Sequence, residues 1–147
     1  MLEQADRKLG AFQAIDSVQQ PPEGWINTVR TSLGMTLQQL GNRLGKTASH
    51  IKALETNEKN QAITLHSLHE LAKGLNLRLV YGFIPDDGSL EKLVERKAEE
   101  LAKQIVGRSA KTMELEDQGT SNEIVEKAIQ QKKRELQIEM PKHLWDQ

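Results

Sequence analysis

Thr36-Leu37-Gln38-Gln39-Leu40-Gly41-Asn42-Arg43-Leu44-Gly45-Lys46-Thr47-Ala48-Ser49-His50-Ile51-Lys52-Ala53-Leu54-Glu55 is the stretch that decides how the rest of this chain is read. Thr36 followed three residues later by Gln39 is a capping box: the threonine hydroxyl and the glutamine side chain each satisfy an orphan amide at a helix start. Leu37, Leu40 and Leu44 then form one apolar stripe. Gly45 ends the helix after two turns, and Thr47 is placed to cap a second helix whose inner face is Ile51 and Leu54. Gly41 stands where a larger side chain would hold the two helices apart, and Gly45 permits the tight turn between them. On the outer face of the second helix lie Ala48, Ser49 and Lys52, with His50 beside them. A helix that reads the DNA major groove, about 12 Å wide, must be short, carry small or polar groups near its N-terminus and be braced by a crossing helix. This stretch meets those demands; the competing reading is a plain helical hairpin inside a core.

Working outward, Trp25, Ile26, Val29 and Leu33 recur at helical spacing and Gly34 stops that helix. After a polar loop expected over residues 56 to 62, Thr64 caps a further helix with Leu65, Leu68, Leu71, Ala72 and Leu75 on its inner face. Asn76 to Phe83 alternates: Leu77, Leu79, Tyr81 and Phe83 share one face, the period-two pattern of a short β-strand. No second strand lies near it in sequence. An unpaired apolar strand invites aggregation, and pairing with its own copy across a two-fold axis removes the exposed edge, so Leu77, Leu79, Tyr81 and Phe83 are the expected dimerisation residues. Packing against the chain's own helices or against the N-terminal segment is the alternative.

Two flanks complete the chain. Leu2, Ala5, Leu9, Phe12 and Ile15 predict an amphipathic N-terminal helix reaching about Val18, ended by Pro21 and Pro22. Pro85-Asp86-Asp87-Gly88 is a turn, after which Ser89 opens a long helix through Leu90, Leu93, Val94, Leu101 and Ile105, with Gly107 as a point of interruption. Thr120-Ser121-Asn122-Glu123 is another capping box, followed by Ile124, Val125, Ala128, Ile129 and Leu136, until Pro141. The expected organisation is therefore 1–23, an N-terminal helix and linker; 24–85, the helical hairpin domain with its terminal strand; and 86–147, a C-terminal helical extension.

The 147 residues carry 37% hydrophobic and 28% charged side chains, 3% aromatics and no cysteine. That is too polar for a membrane protein, too apolar for a disordered one, and it excludes disulfides, cysteine-based zinc sites and a thiol nucleophile. No apolar run approaches the roughly 20 residues that span a bilayer, and residues 1 to 15 lack the apolar core of a signal peptide, so a cytoplasmic, non-membrane protein is expected. The net charge of −1 conceals an asymmetry: −2 over residues 1–23, +4 over 24–83 and −3 over 84–147. A basic middle between acidic flanks suits a nucleic-acid-binding module joined to parts that do something else, although an ordinary solvated surface would read the same way. His66 and His69, spaced i, i+3 on a polar face, have no evident third ligand, so no metal is expected. Glu116-Asp117 and Asp86-Asp87 are adjacent acids that point apart, and no nucleophile or phosphate loop appears. The expectation is a chain without enzymatic activity and without a cofactor.

At Gly34 to Thr47, with Ile51, Leu54-Glu55 and Leu71-Ala72-Lys73-Gly74-Leu75, the chain resembles the phage-repressor (Xre/Cro) type of helix-turn-helix protein over residues 24 to 76. The resemblance implies a mainly α, five-helix lambda-repressor-like DNA-binding domain. It also implies base-reading positions at Ala48, Ser49, His50 and Lys52, and phosphate contacts from Gln38, Arg43, Lys46, Thr47, Asn57 and Lys59. Two residues depart from the family pattern, and a third is a poor hydrogen-bonding reader. Leu37 stands where many relatives have a backbone-contacting Gln, Lys46 where an apolar residue is common, and Ala48 can offer a base only apolar contact. Leu77 to Pro85, Met113-Glu114-Leu115-Glu116-Asp117-Gln118 and His143-Leu144-Trp145-Asp146 resemble a narrower group, the mobile mystery protein A family associated with Fic-domain proteins. This second resemblance implies a Fic-domain protein as a candidate partner. Inhibitors of such enzymes carry Ser or Thr, three residues, Glu and then Gly or Asn; here Glu23-Gly24 is preceded by Gln19, so that motif is incomplete.

Together these readings predict a sequence-specific transcriptional regulator that binds double-stranded DNA at an inverted-repeat operator as a homodimer. It would be an (auto)repressor of a mobile-element or Fic-linked operon. The alternative is an antitoxin-like protein-binding module that neutralises a neighbour-encoded Fic-domain enzyme through its helical extensions.

Overall fold

The computed structural model describes residues 1–115 and 122–146, with side chains described outside 112–115. Its helices are α1 (Leu2–Leu9), α2 (Trp25–Ser32), α3 (Leu37–Leu44), α4 (Ala48–Lys59), α5 (Leu65–Gly74), α6 (Leu90–Leu115) and α7 (Asn122–Glu139). Short 3₁₀ turns cover Gly10–Ile15 and Lys142–Trp145. They divide into two compact units, one of residues 15–82, the other of residues 1–14 with 83–147.

In the unit of residues 15–82, α2 to α5 surround one apolar core of Ile26, Leu40, Ile51, Leu54, Leu71 and Leu75, with Val29, Met35, Leu37, Leu44, Ile63 and Leu68 packed around it. Each of α3, α4 and α5 starts with a threonine whose hydroxyl accepts an amide N–H from three residues on: Thr36 from Gln39, Thr47 from His50, Thr64 from Ser67. Such caps offset the unfavourable start of a short helix by about 1 kcal/mol each. Trp25 and Leu33, expected on the inner face of α2, are instead largely exposed, and Ile26 carries the burial.

The other unit is built around the antiparallel partners α6 and α7. Ala98 and Ala102, one turn apart and both fully buried, let α7 approach closely enough for Ile129 and Leu136 to seat beside Val94 and Leu144. The N-terminal residues, read from sequence as a segment of their own, lie in this unit. Leu2 packs on its core, and the Asp6 carboxylate accepts from the backbone N–H of Leu90 at 2.6 Å and of Glu91 at 3.0 Å. Ser89 accepts from Lys92 N–H. Asp6 and Ser89 thus cap α6 together, the carboxylate also meeting the positive end of the helix dipole.

Five expectations are corrected. The N-terminal helix expected to about Val18 is α-helical only over Leu2–Leu9, with a 3₁₀ turn to Ile15. The domain expected to hold five helices holds four, α2 to α5. The α6 helix passes through Gly107 without a break, since one interior glycine costs only about 1 kcal/mol in a helix whose neighbouring turns are packed. The polar loop expected over residues 56–62 begins later, because α4 runs to Lys59. Glu55 and Glu58 there face inward and extend the apolar face that sequence periodicity would end at Leu54. The short β-strand over Asn76 to Phe83 is not present: among the described residues no strand forms, and Leu77, Tyr81 and Phe83 are exposed while Leu79 is half-buried. Alternation shows that a segment could be a strand; a strand exists only where another backbone supplies the ladder, and among the described residues no backbone hydrogen-bonds to residues 78–84. Thr120 and Ser121 of the expected second capping box, and Glu116, Asp117 and Gln118, lie outside the described residues. Among the described residues no helix is long and apolar enough to cross a membrane.

Candidate nucleic-acid interface

The turn between α3 and α4 sets the geometry of the interface. Gly45 closes α3 at φ +66°, in the left-handed region that favours glycine, and the chain re-enters a helix at Ala48 after only Lys46 and Thr47. The second glycine of this stretch acts differently from the sequence expectation. A Cβ on Gly41 would strike the backbone carbonyl of Lys46, with the Thr47 carbonyl carbon 3.3 Å away, so what Gly41 makes room for is the turn itself and not the facing helix. Lys46 N–H donates back to Gly41 O at 2.8 Å, sealing the turn against the first helix.

Two carboxylates on the inner face of α4 fix it against α2. Glu58, buried, accepts from the backbone N–H of Trp25 at 3.1 Å and of Ile26 at 2.9 Å, and so caps α2 from a different helix. Gly24, the residue at the cap position, has φ +86°, and a Cβ there would lie 2.8 Å from Glu58 Oε1; glycine is what leaves room for the carboxylate. One turn earlier Glu55 accepts from Arg30 Nε and Nη2 and from Asn27 Nδ2, while Arg30 Nη1 donates to Met35 O at 2.9 Å. Arg30 and Glu55 are both buried, so this is a desolvated, bidentate ion pair with its remaining donors largely spoken for. No buried side-chain polar atom among the described residues lacks a hydrogen-bond partner.

With Ile51, Leu54, Glu55 and Glu58 turned inward, the opposite face of α4 is left to solvent. Ser49, Lys52, Ala53 and Thr56 are all exposed at i, i+3, i+4, i+7 spacing, forming one stripe along the helix. His50 is exposed at the edge of this face, and Ala48 is half-buried at the N-terminus. The expected base-reading residues Ser49 and Lys52 therefore share a stripe. Ala53 and Thr56 belong to it as well and were missed, because Thr56 was assigned to a loop. The spacing of Glu55 and Glu58 continuing that of Ile51 and Leu54 was the available signal, hidden because buried acids look polar. Thr56 Oγ1 donates to Lys52 O at 3.0 Å, an ordinary mid-helix arrangement.

Of the expected phosphate-contacting residues, Lys59 lines one shallow pocket with Lys52 and Thr56 of this face, and most of the others carry intramolecular partners. Gln38 Nε2 donates to Asn42 Oδ1 at 2.7 Å, and Arg43 Nη2 to Asn76 Oδ1 at 3.3 Å. Lys46 Nζ lies 3.7 Å from Glu70 Oε2, its stem half-buried as a lysine in a usually apolar position requires. Thr47 spends its acceptor on the α4 cap, with its hydroxyl proton available. Asn57 is exposed, and Lys59 Nζ pairs with Glu23 Oε1 at 3.2 Å. These contacts are solvent-exposed or partly so and worth little, so exchanging them for a phosphate costs little. His66 Nε2 lies 3.4 Å from Glu70 Oε1, on the same surface carboxylate as Lys46.

A two-helix unit whose capped second helix is braced on one face and open to solvent on the other is the architecture of helix-turn-helix DNA-binding domains. Residues 26–81 match the family model described as Helix-turn-helix. The match covers less than half of the chain and marks a domain of the kind found in DNA-binding transcriptional regulators, which is not typically enzymatic. No curated protein and no solved structure matches the chain.

Proposed function

We propose that this protein is a dimeric, sequence-specific transcriptional repressor that inserts α4 into the major groove of an inverted-repeat operator. The observation that carries the reading is the division of α4 into a buried face of Ile51, Leu54, Glu55 and Glu58 and a solvent face of Ser49, Lys52, Ala53 and Thr56. Rigid bracing on one side and small or polar groups on the other are what base readout in a groove requires. Ser49 and Lys52 supply the hydrogen bonds to base edges; Ala48 and Ala53 offer methyl groups to thymine. Gln38, Arg43, Lys46, Thr47, Asn57 and Lys59 supply contacts to the sugar-phosphate backbone, which position the helix without reading sequence.

A homodimer places two copies of α4 about one helical turn apart, near 34 Å, and turns a short recognition element into a palindromic one. Repression follows if that operator overlaps the promoter of the chain's own or a neighbouring gene. The Fic-linked part of this reading is supported only by the resemblance noted at Leu77 to Pro85, Met113 to Gln118 and His143 to Asp146.

Selection of bound duplexes from a random pool, followed by gel shifts with two variants, tests the proposal. Lys52→Ala is expected to relax preference at one operator position by about 1 to 3 kcal/mol. Arg43→Ala is expected to weaken all sequences alike and to reduce the slope of log K against log salt by about 1. Absence of any selected sequence, or indifference to both substitutions, rejects it.

A further inference from the structure

Between α5 and α6 the chain runs through Leu77-Arg78-Leu79-Val80-Tyr81-Gly82-Phe83-Ile84 without regular structure. Asn76, at φ +58°, cannot belong to an extended run, and Pro85 opens the next turn, closed by Gly88 N–H to Pro85 O. Leu77 N–H still reaches Ala72 O; beyond it, among the described residues, no backbone hydrogen bond involves residues 78 to 84. Five large apolar side chains lie exposed here within eight residues, with Val80 63%, Tyr81 60% and Phe83 74% accessible. None of the eight belongs to either apolar core. Unsatisfied backbone groups and uncovered apolar side chains together form an open template for a strand.

We infer that this segment pairs antiparallel with the same segment of a second copy, with the two-fold axis passing through Val80. The inference rests on the dimeric reading above and specifies how the dimer is made. A two-fold relating neighbouring antiparallel strands stands perpendicular to the sheet, so each face maps onto itself and directly opposed residues must have numbers of the same parity. The axis therefore passes through a residue position. Centred on Val80, Leu77 opposes Phe83 of the second copy, Leu79 opposes Tyr81, and both contacts recur by symmetry. All four residues of that face are thus matched, each aliphatic chain against an aromatic ring. On the other face Val80 opposes itself and Arg78 opposes Gly82, where its stem has room. Centred on Tyr81, Leu77 would oppose Pro85, which has no N–H to give; centred on Leu79, Phe83 would oppose Leu75, which is buried in the core of its own unit. The run Leu-x-Leu-x-Tyr-x-Phe, aliphatic at one end and aromatic at the other, complements its own reversal, which is what selects a second copy as the occupant.

The chain has no cysteine, so single cysteines introduced into the full-length protein report the register directly. Directly opposed residues in an antiparallel pair have Cα atoms about 4.5 to 5.5 Å apart, within the range a disulfide bridges. Under mild oxidation Val80→Cys is expected to cross-link to itself at least tenfold faster than Leu79→Cys or Tyr81→Cys alone, and a mixture of those two proteins is expected to cross-link to each other. A maximum at 79 or 81 overturns the register. A dimer by sedimentation in which none of the three cross-links overturns strand pairing while leaving the dimeric regulator intact. A monomer by sedimentation that still binds a half-site overturns the dimer and this inference together, leaving DNA binding standing. Val80→Lys places two ammonium groups face to face and is expected to weaken self-association at least tenfold with unchanged helical circular dichroism. Self-association unaffected by it, or protection of residues 77 to 84 from hydrogen exchange only when a different protein is added, rejects the second copy as occupant.

Discussion

Replacing Glu55 by leucine should destabilise the unit of residues 15–82 far more than removing a surface ion pair would. Arg30 and Glu55 are 8% and 3% exposed, so neither charge can turn to water when the other disappears. Glu55→Leu strips the acceptor from Arg30 Nε, Arg30 Nη2 and Asn27 Nδ2 and leaves the guanidinium one bond, to Met35 O. An orphaned buried charge of this kind costs about 3 to 5 kcal/mol. For a unit this small, each kcal/mol moves the midpoint by about 4 to 8 °C, so a fall of about 12 °C or more is expected. Arg30→Met combined with Glu55→Leu removes the orphan along with its partner and should recover most of the loss, because burying a charge pair roughly breaks even against apolar packing. The chain has two tryptophans, Trp25 in this unit and Trp145 in the other, so Trp25 fluorescence in a Trp145→Phe background follows the right transition. A Glu55→Leu loss below about 1 kcal/mol, or a double variant as unstable as the sum of the single ones, would refute the assignment of these two residues as a buried, mutually dependent brace.

Further outcomes are expected elsewhere. Gly41→Ala should lower the thermal midpoint of the same unit and abolish DNA binding in gel shifts, since its methyl group meets the Lys46 carbonyl in the turn that aims α4. Asp6→Ala should destabilise the unit containing α6 by about 1 kcal/mol, seen in urea titrations followed by Trp145, because it removes a cap supplied from 84 residues away in sequence. The Asp87 carboxyl is held below its ordinary value, first by its hydrogen bond from Arg96. Its folded pKa being the lower one, the stabilisation is present above the unfolded pKa and is lost as pH falls through the folded one. Asp87→Asn should therefore lower the stability of that unit slightly at neutral pH, leave it nearly unchanged below the folded pKa, and so flatten the acid limb in urea titrations run across pH.

The helix-turn-helix was legible in the sequence because its determinants are local. Capping threonines, a glycine at the turn and leucines three or four apart act within a few residues of themselves, so Thr36, Gly45, Thr47, Ile51 and Leu54 announce their roles without reference to the rest of the chain. Glu58 did not, and although the resemblance marks Glu55 as a structural position, nothing near either in sequence says that a buried acid has an arginine or a helix start from 25 or more residues earlier as its partner. That concealment shortened α4 in the sequence reading and with it the stripe ending at Thr56.

The alternation from Leu77 to Phe83 and the amphipathic run from Leu2 show the other side of the same division. Periodicity states which side chains could share a face; the run from Leu2 uses that face against a core, and the run from Leu77 forms no strand. What they face is a matter of long-range contact: Asp6 and Leu2 find α6 across most of the chain's length, and among the described residues no backbone hydrogen-bonds to residues 78–84 of the alternating segment. Local propensity and capping are properties of neighbours along the chain, and sequence alone determines them. Pairing of charges, docking of a terminal helix and completion of a strand depend on groups brought together only by folding, and those the tertiary structure decided.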